Sequence, residues 1–166
     1  MTTTKMTVFT TVPSPIGEIL LTMDADGALT GLHMQPADPP PGASHNDAAF
    51  AAVIDQLDAY FECKRQAFDV PMAATGTPFQ QRVWRALGEI PYGETISYGE
   101  LAAHVGQPGA SRAVGSANGR NPISIIVPCH RVIAADGGLG GYGGGLDRKQ
   151  TLLALEGAAC VAGTLR

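Results

Sequence analysis

Residues Ser97 to Gly119 read SYGELAAHVGQPGASRAVGSANG, and the architecture is decided in this stretch. Ser97 followed three residues later by Glu100 is a capping box, the reciprocal pair that satisfies two orphan backbone donors at a helix start. The short helix it opens ends at Gly106. Gly106-Gln107-Pro108 is a tight turn, and a further helix over about 109–118 is closed by Gly119. Two short helices across a glycine-containing turn form the helix-turn-helix pattern. The later helix is built from small residues: Ala110, Ser111, Ala113, Gly115, Ser116 and Ala117, with Arg112 projecting from it. Such side chains cannot reach deep into a groove, but they let a backbone lie close to a crowded surface. A tightly packed core helix carrying a solvated arginine is the alternative reading.

Upstream, Thr77-Pro78-Phe79-Gln80 is a second capping box with proline at the first helical position, and Phe79, Val83, Leu87 and Ile90 make a buried stripe. Before it, Ala73 to Pro78 is a break that divides the chain into residues 1–76 and 77–166. The first part carries three strand-like runs, 6–12, 17–23 and 28–33, punctuated by Pro13, Pro15, Gly17 and Asp26-Gly27, which predict an antiparallel meander. A Pro-rich loop spans 36–46. A helix follows from Asp47, with Phe50, Val53, Ile54, Leu57, Tyr60 and Phe61 at helical spacing, and a short strand is expected near 67–72. Residues 1–76 are thus a small mixed α/β unit.

Downstream lies the densest chemistry: Asn121-Pro122-Ile123-Ser124-Ile125-Ile126-Val127-Pro128-Cys129-His130-Arg131-Val132. A thiol attacks as its thiolate, and a neighbouring base or cation favours that form. Neighbours in a strand point to opposite faces, so His130 serves Cys129 only through a bend at Pro128 or a bridging water. Cys63 and Cys160 read instead as small buried hydrophobes. Zinc is a weak rival, because His33, His45, His104 and His130 are far apart and lack ligand spacing. Beyond the thiol, the glycine-rich run 137–145 lets backbone N–H groups approach a flat ligand, yet it lacks the ending of a P-loop. A last helix near 146–156 stacks Leu146, Leu152, Leu153 and Leu155, ends at Gly157, and carries Glu156 at its tip.

The 166-residue chain is 45% apolar and 16% charged, which argues against disorder, and its 21 glycines and 12 prolines exclude a simple helical bundle. No apolar run spans a membrane, and the N-terminus lacks a signal-peptide core. Three scattered cysteines make a disulfide framework improbable and a reduced, cytoplasmic protein the expectation. The net charge of −4 argues at first against nucleic acid. It is unevenly spread, however: residues 1–73 hold three basic residues against nine acids, and residues 74–166 hold eight against six. An arginine-weighted half beside an acidic half signals a phosphate-bearing partner.

The run Pro128-Cys129-His130-Arg131-Val132, with Asn121-Pro122 before it and Gly141-Tyr142-Gly143-Gly144-Gly145 after it, resembles the O6-alkylguanine-DNA alkyltransferases. Tyr98, Arg112, Asn121 and Glu156 at their spacings strengthen the resemblance, which is strong over 77–157 and faint over 1–76. It implies a small N-terminal α/β (ribonuclease H-like) domain, residues 1–76, joined to a helical, winged helix-turn-helix-like domain, residues 77–166. It implies direct-reversal DNA repair without a cofactor or metal. Cys129 would accept the alkyl group from O6-alkylguanine, and from O4-alkylthymine, once per chain. His130 would draw off the thiol proton through a water, Glu156 would orient the imidazole, Asn121 would support the hairpin, and Tyr98 would donate toward N3. Val132, Tyr142 and Gly143 would line the alkylguanine pocket, and Arg112 would fill the stack left by the flipped nucleotide. Ala113, Gly115, Ser116, Ala117 and Tyr98 would meet double-stranded DNA in the minor groove. The partner is damaged duplex DNA, bound by a monomer or by several copies side by side, with no membrane involved. Many relatives carry serine where Gly143 stands; the contact expected there is a backbone N–H, which glycine keeps. The cysteine separates this chain from inactive relatives with tryptophan at that position. A cysteine hydrolase using Cys129, His130 and Glu156, or a non-catalytic DNA-damage-binding protein, are the rival readings.

Overall fold

A computed structural model describes residues 7–34, 37–136, 138 and 145–159, and the chain divides into two compact units, Met1–Thr75 and Gly76–Arg166. In the first, β1 (Val8–Val12), β2 (Ile19–Met23) and β3 (Leu29–Met34) form the expected antiparallel meander. A two-residue strand, β4 (Ser44–His45), adds to the far edge of β1 in parallel, giving the order β3-β2-β1-β4. It falls inside the Pro-rich loop, where no sequence signal marks it. All five residues of β2 are buried, as a central strand covered on both faces requires. A 3-10 turn at Asp47–Phe50, capped by Asn46, leads into α1 (Ala51–Phe61), whose Val53, Leu57 and Tyr60 are buried together with Phe50. The strand expected near 67–72 is reduced to a single bridge between Leu29 and Met72. Its sequence offers no alternating stripe, since Met72 is exposed.

The reading of Cys63 as a buried hydrophobe is also corrected. This residue follows α1 on the surface at φ 63° and is disulfide-bonded. Cys160 lies outside the described residues.

Both capping boxes of the second unit form. Thr77 and Gln80 cap α2 (Pro78–Leu87), and Ser97 and Glu100 cap α3 (Tyr98–His104). Gly106 and Gly109 take φ of 82° and 90° in the turn that follows, a backbone conformation that side chains with a Cβ resist. This turn delivers α4 (Ser111–Gly119), which packs on α2 and α3. Val114, Ala117 and Asn118 enter the core, and the Trp84 indole N–H donates to the Ala117 carbonyl at 2.8 Å, joining α2 to α4. The small residues of α4 therefore serve packing on one side. At Gly115, an added Cβ would lie 3.6 Å from the Tyr98 ring. Arg112, Ala113 and Ser116 remain exposed on the other side.

The two-residue strands β5 (Ile96–Ser97) and β6 (Val132–Ile133) pair in parallel and bring the start of α3 beside the cysteine segment. The last helix, α5 (Leu146–Ala154), does not stop at Gly157: it runs on as a π-helical turn over Leu155–Ala159. Its expected leucine stack is also different. Leu152 is fully buried and Leu146 is exposed, while Lys149 takes a core position.

Candidate active site

The apolar run before the cysteine is not a strand but two tight turns in succession. The Ile126 N–H donates to the Ser124 carbonyl at 2.8 Å, with Ile125 between them at φ 72°. This is the rarer, positive-φ γ-turn, and a β-branched residue resists it. The Ile125 side chain is 1% exposed, so burial holds the residue where its backbone preference would not. Next, the Cys129 N–H donates to the Val127 carbonyl at 2.8 Å across Pro128, whose φ of −82° and ψ of 66° form the commoner inverse γ-turn. Asn121 ties the loop together: its Nδ2 donates to the Val127 carbonyl at 2.8 Å, and its Oδ1 accepts from the Ile123 N–H at 3.0 Å.

Cys129, His130 and Arg131 then form one 3-10 turn, all buried. Successive side chains on a 3-10 turn stand about 120° apart, not on opposite faces. The bend at Pro128 required of the sequence is thus present. Cys129 is a buried thiol outside any disulfide. Asn118, buried on α4, donates from Nδ2 to the Cys129 carbonyl at 3.3 Å.

His130 Nε2 lies 2.7 Å from Glu156 Oε2, both fully buried, although a carboxylate at a helix tip is ordinarily solvated. The π-helical turn changes the direction of Glu156 and carries it inward, and such turns recur at functional sites. Arg131 was not singled out in the sequence, yet it organises the cluster. Its Nε donates to Glu156 Oε1 at 2.7 Å, its Nη2 to Oε2 at 2.9 Å, and its Nη1 to the Ile90 carbonyl at 2.8 Å. A bidentate guanidinium keeps the carboxylate ionised and in one orientation. Glu156 can then only accept from His130, so Nε2 carries the imidazole proton and Nδ1 keeps its lone pair. Among the described residues, Nδ1 has no hydrogen-bond partner. Burial is the main cause that holds His130 below its ordinary value of 6.5, opposed by Glu156 and reinforced by Arg131 and Lys149. The imidazole is therefore neutral at neutral pH and has a base aimed away from Glu156.

Lys149 is the second residue the sequence reading missed. It is fully buried on α5, donates from Nζ to the Val132 carbonyl at 2.6 Å, and stands 6.0 Å from the centre of the Tyr98 ring. Spacing could have flagged it, since it falls on the same helix face as Leu152. Lys149 thus links the chain at Val132 to the neighbourhood of the Tyr98 ring. Arg112, Ala113 and Ser116 lie together on the outer face of α4, whereas Ala117 points inward and is not on that face. Tyr142 and Gly143 lie outside the described residues.

The family model described as the DNA binding domain of 6-O-methylguanine DNA methyltransferase matches residues 78–158, and that described as its ribonuclease-like domain matches residues 7–74. The methylated-DNA–protein-cysteine methyltransferase of Mycolicibacterium paratuberculosis is 56% identical over 154 residues, covering 91% of this chain and 93% of the relative. That of Methanosarcina acetivorans is 53% identical, covering 87% of this chain and 95% of the relative. The crystal structure of Mycobacterium tuberculosis OGT in complex with DNA superimposes with a TM-score of 0.85 at 53% identity, covering 89% of this chain and 91% of that one. The ribonuclease-like and DNA-binding domain models and the identity to these relatives agree, and the chain belongs to the methylated-DNA–protein-cysteine methyltransferase family, enzymes of DNA repair by alkyl transfer.

Proposed function

We infer that this chain repairs O6-alkylguanine in double-stranded DNA by moving the alkyl group to Cys129, irreversibly and once per chain. One observation carries the reading: a buried thiol adjoins a neutral imidazole whose Nε2 is committed to Glu156 and whose Nδ1 has no protein partner among the described residues. The Cys129 proton passes to His130 Nδ1 through a water. The sulfur then attacks the alkyl carbon, a C–S bond forms, the bond to O6 breaks, and guanine leaves with a proton donated toward N3 by Tyr98. The C–S bond of a thioether is stable in water, so the alkyl group stays on the protein.

The alkyl carbon is hidden in the duplex, so the nucleotide must leave the stack at a cost of a few kcal/mol. Arg112 fills the gap, and Ala113, Gly115 and Ser116 allow a close approach to the minor groove, where sequence information is poor. Their exposure on the outer face of α4 supports this role for all but Gly115, which is half-buried against Tyr98, and the inward side of Ala117 removes it from the contact surface. Asn121 holds the loop that carries Cys129, and Val132 belongs to the base pocket. O4-alkylthymine is a second substrate of the same pocket. The units 1–76 and 77–166 divide the work, with the second accepting the alkyl group and binding DNA.

The test is a titration of damaged duplex against a fixed amount of protein. Repaired guanine should plateau at one per chain. Continued turnover would favour a cysteine hydrolase, and binding with no repair would favour a damage-binding protein.

A further inference from the structure

Asn118 is a buried side chain that the reaction above leaves unused. It stands in the last turn of α4, the helix whose outer face carries Arg112, and it is 3% exposed. Its Nδ2 donates to the Cys129 carbonyl at 3.3 Å, which joins α4 to the nucleophile. That bond also fixes which way the amide faces. Turned over, it would set Oδ1 against the Cys129 carbonyl, acceptor against acceptor. Oδ1 shares a carbon with Nδ2, so covalent geometry keeps it beside the peptide bond that links Cys129 to His130.

Oδ1 accepts no hydrogen bond among the described residues, and neither does His130 Nδ1. Both atoms are cut off from solvent, and a buried acceptor left unpaired is costly enough that such atoms are rare. They cannot satisfy each other. The amide oxygen bears no proton, and Glu156 holds the imidazole proton on Nε2. Two acceptors gathered at the nucleophile's turn call for one small group with two donors, and water is such a group.

We propose that Asn118 is a positioning residue for alkyl transfer: Nδ2 holds the Cys129 backbone, and Oδ1 takes one proton of the water that carries the thiol proton to His130 Nδ1. This rests on the reading of Cys129 as the alkyl acceptor. The second proton of that water faces Nδ1, and a lone pair faces the thiol. As the S–H bond breaks, its proton joins the water oxygen while the water's own proton passes to Nδ1. Water is regenerated, the imidazole becomes imidazolium beside Glu156, and the sulfur keeps the electron pair. The proton on Oδ1 stays in place throughout, so Asn118 orients the relay and exchanges nothing with it. Without that acceptor the water can turn its protons away from Nδ1.

A crystal structure of the unmodified protein, without DNA, reads the site directly. A water within about 3.2 Å of both Asn118 Oδ1 and His130 Nδ1 is expected. A protein donor on Oδ1, or no density between the two atoms, overturns the proposal. Asn118→Leu keeps the size of the side chain and removes both of its bonds. Alkyl transfer should slow about tenfold at neutral pH, the worth of one hydrogen bond, and recover as pH rises and the thiolate forms unaided. The other titratable groups of the cluster, Tyr98, Arg131, Lys149 and Glu156, are unaltered by the substitution, so the recovery reports the Cys129–His130 relay. A rate lowered equally at every pH is what a merely structural asparagine gives, and it overturns the proposal, as does an unchanged rate. Should Asn118→Leu fail to fold, the crystal structure of the unmodified protein still decides. A bridging water in a chain that repairs nothing would uphold the water site and refute alkyl transfer. Repair by a chain without that water would do the reverse.

Discussion

Glu156→Gln separates the catalytic and structural roles of one carboxylate. The amide would keep the shape and lose the charge, leaving Arg131 buried without a countercharge while Nη1 still donates to the Ile90 carbonyl. Breaking a buried pair by removing one partner costs about 3–5 kcal/mol. For a chain of this size about 1 kcal/mol moves the melting temperature by about 2–4 °C, so a fall of about 6–20 °C is expected. Arg131→Met should cost a similar amount, because it strands Glu156 instead. The double variant removes both charges and should recover a large part of the loss, a coupling of about 2–3 kcal/mol in a double-mutant cycle. Alkyl transfer supplies the second readout. Glu156→Gln replaces the carboxylate that holds His130 in its reactive tautomer with a neutral amide whose NH2 can face Nε2, so the rate at neutral pH should fall by about 10²-fold and recover as pH rises and the thiolate forms unaided. Arg131→Met leaves the His130–Glu156 bond in place and should slow transfer less. Additive melting shifts in the double variant, or an unchanged rate in Glu156→Gln, would refute this account of the cluster.

Arg112→Ala should slow repair in duplex DNA far more than reaction with a free O6-alkylguanine base; equal losses would place Arg112 in the pocket or the fold. DNA affinity should fall with salt at a slope of about −2 to −4 on logarithmic axes, since the exposed Arg82, Arg85, Arg112 and Arg120 supply only a few phosphate contacts. A flat salt dependence would contradict that electrostatic role. His130 is held below 6.5, so the unfolded chain takes up a proton that the folded imidazole refuses. Its share of stability is full above about pH 6.5 and is lost as the pH falls, so between about pH 7 and pH 5 the protein should lose more melting temperature than His130→Gln does.

What the sequence disclosed was set by distance along the chain. The capping boxes at Thr77/Gln80 and Ser97/Glu100 are three-residue chemistry, and both form as written. The meander is legible because Asp26-Gly27 and the prolines punctuate it. The parallel strand Ser44–His45 exists only because β1 offers an edge, so nothing local announces it. Cys129 and His130 are adjacent in sequence, but their geometry depends on two γ-turns, and Ile125 is a residue that argues against one of them. Arg131 meets Glu156 across 25 positions, and a π-helical turn that no propensity predicts brings the carboxylate inward. The sequence marks Leu146 as part of the apolar stack of the last helix and assigns Lys149 no place in it. The structure reverses the two: Leu146 is exposed, and Lys149 is buried with its ammonium donating to the Val132 carbonyl.

The most direct test of the central claim is the mass of the intact protein after incubation with duplex DNA carrying O6-methylguanine, followed by peptide mapping. The account predicts the addition of one methyl group per chain, carried by Cys129, together with unmodified guanine in the DNA. Repaired guanine beside an unmodified protein, or a methyl group mapped to Cys63 or Cys160, would contradict it.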